Sequence, residues 1–118
     1  MAATPEDLKA MIEAELTLLT SSDLLMAIRN GLVEPRPIQL NWDYGTPGQQ
    51  FDGWIVFDHA AISRTCIAYC EQGFGPTAPW GLIWDVEDRG GGYGMGMDSG
   101  WYQTFIGVFK ESWAGVDF

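Results

Sequence analysis

Two prolines one residue apart, Pro35 and Pro37 in the stretch EPRPIQLNWDYG, divide this chain into a helical opening and a strand-rich remainder. Proline locks φ and carries no backbone N–H, so no helix runs through that stretch. Beyond it Ile38, Leu40, Trp42 and Tyr44 alternate with Gln39, Asn41 and Asp43, the two-residue period of a half-buried strand. Before it the chain carries helix punctuation. In TPEDLKAMIEAELTLL, Thr4 is an N-cap, Pro5 takes the first helical position, and Glu6 and Asp7 lie near the positive end of the dipole. Leu8, Met11, Ile12, Leu16 and Leu19 form an apolar stripe that Glu15 interrupts. In SSDLLMAIRNG, Ser21 or Ser22 caps a second helix, Leu24, Leu25 and Ile28 share one side, and Asn30-Gly31 stops it.

After the turn TPGQQ, the run FDGWIVFDH is apolar from Trp54 to Phe57, which predicts a strand buried on both faces. RTCIAYCEQG fits either period; its β-branched and aromatic residues and the closing loop GFGPTAP favour a strand. WGLIWDV predicts a fourth strand, and RGGGYGMGM leads to a short fifth. Phe105, Phe109 and Trp113 stand four residues apart and predict a short C-terminal helix, although Gly107 costs it about 1 kcal/mol relative to alanine. The expected fold is therefore α+β: two N-terminal helices, a central antiparallel sheet of four to five strands and a short C-terminal helix, in a single domain spanning residues 1–118.

Charge narrows the choice of partner. Sixteen acidic against six basic side chains leave a net charge of −10, and the excess is spread through both halves of the chain. Such a field disfavours nucleic acid phosphates and anionic lipid, and it attracts a basic protein. The opening MAATPEDLKAMIEAE has no basic region followed by an apolar run, and no stretch of eighteen apolar residues occurs, so a cytoplasmic location and no membrane partner are expected. Cys66 and Cys70 would be roughly 13 Å apart on a strand, too far for a disulfide, and are read as two reduced thiols.

The segments that suggest ligand chemistry each lack an essential part. In GGGYGMGMDSGWYQTF, a phosphate cradle would need lysine and a hydroxyl residue after the glycines, and a dinucleotide fingerprint would need a different glycine spacing. The sequence instead places Met95, Met97 and Asp98 there, with Asp85, Glu87 and Asp88 upstream to repel an anion, and reads as a connecting loop. The same acids fit a twelve-residue calcium loop at two positions, but Gly96 stands where a closing glutamate belongs. His59, Cys66 and Cys70 fall short of a zinc site, and a Cys–His nucleophile pair has no further support. The expectation is no catalytic residue, no metal and no cofactor.

Aromatic rings remain: six Trp, six Phe and four Tyr. They fill a small core or form recognition anchors ringed by carboxylates. The motifs WDYG (42–45), AYCEQGFGPTAPWGLIW (68–84) and MGMDSGWYQTF (95–105), within the helix–sheet–helix layout, resemble small bacterial proteins of polymorphic toxin systems, the SUKH-type and related immunity domains. The glycine-leucine-proline signature of that superfamily is not found between the helices here. The resemblance implies an immunity protein that neutralises a toxin by binding it. Taken with the charge, it predicts a partner-binding set of Trp42, Asp43, Tyr44, Asp85, Glu87, Asp88, Asp98, Trp101 and Tyr102, contacting a basic toxin or enzyme and occluding its active site. Two alternatives stand beside it. One is a small-ligand module with a pocket lined by rings, Met95 and Met97; the other is a nucleic-acid-mimicking inhibitor of the anti-restriction or anti-CRISPR type.

Overall fold

The computed structural model describes residues 4–42, 49–58, 65–72, 77–84, 93–95 and 100–111, with backbone only at 41–42, 65, 84 and 93–95. Three helices are present: α1 (Pro5–Leu16), α2 (Ser22–Gly31) and α3 (Phe105–Glu111). The strands are β1 (Leu32–Trp42), β2 (Gln50–Asp58), β3 (Thr65–Tyr69), β4 (Trp80–Trp84), β5 (Tyr93–Met95) and β6 (Gly100–Tyr102). They form one sheet in the order β5-β1-β2-β3-β4-β6. Five of them, β1 to β4 and β6, are antiparallel neighbours, so the α+β layout is as the sequence predicts. The short β5 adds to the outer edge of β1 in parallel, with Leu40 opposite Tyr93 and Trp42 opposite Met95.

The helix ends are built as their residues require. Thr4 Oγ1 accepts from the Asp7 N–H while the Asp7 carboxylate accepts from the Thr4 N–H, a reciprocal capping box with Pro5 just inside the helix. That backbone hydrogen bond, with the hydroxyl beside it, holds the Asp7 carboxyl below its ordinary value. Ser21 is the cap of α2, its Oγ accepting from the Leu24 N–H. The helix closes at Gly31, where a Cβ would stand 2.3 Å from the ring of Phe57, so glycine is required by the close approach of β2.

Strand β1 begins at Leu32, six residues earlier than the alternation at Ile38 indicates. Pro35 and Pro37 lie inside it. They are accommodated because β5 pairs only with Leu40–Trp42, and among the described residues no strand pairs with the outer side of Leu32–Gln39. A register shift between Leu32 and Arg36 bends the same stretch.

The sheet is buried on both faces. On one side α1, α2 and α3 cover a cluster of Leu8, Ile12, Leu16, Leu24, Ile28, Val56, Phe57, Ile67, Tyr69, Trp80, Phe105, Val108 and Phe109. The other side carries Leu40, Ile55, Cys66, Ala68, Cys70 and Ile83. Central β2 contributes Ile55 to one cluster and Val56 and Phe57 to the other, which accounts for its continuous apolar run. The register shift between Ile55 and Phe57 places two consecutive residues on the helix side.

The sheet is strongly curled. Three strands separate β5 from β4 in the sheet order, a flat spacing of about 19 Å at the usual strand separation. Yet residues of β5 come within 8 Å (Cα–Cα) of β4. The helices pack on one side of this curl, and the small side chains Cys66, Ala68 and Cys70 line the opposite side.

Candidate functional site

The predicted partner-binding set divides sharply. Asp43, Tyr44, Asp85, Glu87, Asp88 and Asp98 lie outside the described residues, as do His59, Met97 and Trp113. Their places in the chain are nonetheless framed by described strands. Residues 43–44 follow the end of β1, 85–88 follow β4, and 98 falls between β5 and β6. Because β5 is paired to Leu40–Trp42 and also approaches β4, which is itself paired with β6, the curl gathers all four of these strands.

Trp101 and Tyr102 are consecutive residues of a strand and serve opposite faces. Tyr102 packs half-buried against the helix-side cluster, and Trp101 packs half-buried against the Leu40–Ile83 cluster. The indole of Trp101 lies on Gly81, where a Cβ would meet the ring at 2.5 Å. Trp42 ends β1, near the other edge of the sheet order, beside Met95. The structure thus does not bring Trp101 and Tyr102 onto one surface.

Most described rings belong to the interior. Trp80 is 3% exposed and meets Tyr69 and Phe105 edge-on at 4.8 and 5.7 Å between ring centroids. Phe57 meets Phe109 edge-on at 5.5 Å. Phe51, Trp54, Trp101 and Tyr102 are half-buried, and among the described residues the exposed large apolar side chains are Leu18 and Met26. For these rings the core reading of the aromatic excess holds.

The thiols are core groups. Cys66 and Cys70 are each 1% exposed and unbridged. The Cys66 thiol donates to Asp58 Oδ1 at 3.7 Å, and Cys70 donates to the Gln72 carbonyl at 3.8 Å. Burial pushes the Cys70 thiol up from its ordinary value, the opposite of what a nucleophile needs. Among the described residues no group of three or more metal-ligating side chains is present.

Charge is distributed in a consistent way. Lys9 pairs with Glu34, Arg29 is bidentate to Glu13 at 2.9 and 3.1 Å, and Arg36 approaches Asp58 at 3.7 Å. The Arg29 fork lowers the Glu13 carboxyl and is itself raised. Meanwhile Glu6, Asp7, Asp23, Asp52 and Glu111 are exposed carboxylates. A groove of about 220 Å³ runs between α1 and β1, lined by Ile12, Leu32, Val33 and Pro35 and rimmed by Lys9, Glu13 and Glu34. It lacks the rings and methionines expected of a ligand pocket and falls below the usual volume range for one.

One structural contact escapes the sequence. Glu15 accepts from the backbone N–H of Phe105 at 3.0 Å and of Ile106 at 2.9 Å, capping the first turn of α3 from another helix. Thr104 Oγ1 adds a third acceptor, for the Gly107 N–H at 2.9 Å. The signal for it was the single carboxylate in the apolar stripe of α1.

No family model matches the chain, no curated protein matches it, and no solved structure matches it. Among the described residues no helix is long and apolar enough to cross a membrane.

Proposed function

We propose that this protein binds a basic protein, a toxin or enzyme of the cell that makes it, and neutralises it by covering its active site, acting in the cytoplasm as an immunity protein. The observation that carries the reading is electrostatic. The chain carries sixteen carboxylates against six cations, and among the described residues Lys9, Arg29 and Arg36 are each engaged by a carboxylate of the same chain while Glu6, Asp7, Asp23, Asp52 and Glu111 stand exposed. A field of this sign accelerates encounter with a cationic surface and repels polyanions. The inert setting of both thiols fits a role in binding better than one in nucleophilic turnover.

In this reading Asp43, Asp85, Glu87, Asp88 and Asp98 supply the attraction, and Trp42, Tyr44, Trp101 and Tyr102 flank them. The packing of half-buried Trp101 and Tyr102 against different clusters shifts the weight from ring anchors to charge. The test is co-expression with the toxin domain encoded beside the gene. A stable complex and survival of the host are expected; no complex and no protection overturn the proposal. Reversing the five acids slows association and leaves the remaining rate less sensitive to salt, read by stopped-flow at several ionic strengths.

A further inference from the structure

We draw no further inference here: the strongest candidate, the groove between α1 and the outer edge of β1 floored by Ile12, Leu32, Val33 and Pro35, carries nothing because its rim residues Lys9, Glu13 and Glu34 are already held in ion pairs within the chain and nothing in the structure shows what covers it.

Discussion

Glu15 shows how much one side chain can carry in a small fold. Its two oxygens satisfy two N–H groups that the first turn of α3 would otherwise leave without helical partners. Glu15→Ala is expected to lower stability by roughly 1.5–3 kcal/mol, the usual worth of hydrogen bonds to a charged group, and Glu15→Gln to recover part of it through its amide oxygen. Urea denaturation of the three proteins measures this. The anomaly was legible, since a carboxylate in an apolar stripe needs a partner, but the partner was not, because no local pattern points to residues 105 and 106. Tyr69 makes a second case. Burial first, then the Glu71 carboxylate that accepts its O–H at 3.0 Å, pushes its pKa up to about 12 from an ordinary value of 10.0. The unfolded chain therefore releases this proton at lower pH than the folded one, so the Tyr69 contribution is intact below pH 10 and is lost as pH rises toward 12. Phenolate absorbance of the native protein should show a late-titrating component that is lost in Tyr69→Phe. The thiols report on packing: at 1% exposure both should resist a water-soluble disulfide reagent in the native state and react together on unfolding.

Elements depend on their neighbours to different degrees. Helix α3 has seven residues, too few to hold its shape alone, and it persists because Phe105, Val108 and Phe109 are fully buried and its first turn is capped from α1. Its type was legible in the four-residue spacing of Phe105 and Phe109. The three-residue β6 left no periodic signal and is defined by its pairing with Trp80–Leu82. Gly81→Ala on that pair would press a methyl group into the Trp101 indole and is expected to cost about 1–3 kcal/mol, seen as a lower thermal midpoint. Along Leu32–Gln39, where among the described residues no strand pairs with the outer side of β1, the edge is guarded. Two prolines withhold donors from any incoming strand, and the register shift and the charges of Glu34 and Arg36 spoil it further as a template. Replacing Pro35 and Pro37 together with valine should raise self-association, measured by sedimentation velocity; an unchanged monomer fraction would remove this role for the prolines. The prolines were legible as helix breakers, whereas their edge position depended on how little of β1 the short β5 covers.

At the scale of the whole molecule, like charge opposes compactness. With a net charge of −10, added salt should raise the urea midpoint at neutral pH by screening carboxylate repulsion, until the effect saturates. Composition made that legible at once. The fold class was legible too, since the helix caps, the two-residue alternation and the apolar run of β2 all point to the same layout. The assembly of a surface was not, because alternation along β6 sends Trp101 and Tyr102 to different faces and only the curl decides which strand ends meet. The tie between α1 and α3 also has a meaning during synthesis. The Glu15 carboxylate finds its two donors 90 and 91 residues further along the chain. On a ribosome, the first helix must wait for about 90 further residues before these donors emerge, so the nascent protein keeps part of its apolar face uncovered until residue 109 clears the exit tunnel, and a chaperone that shields such faces has its window there.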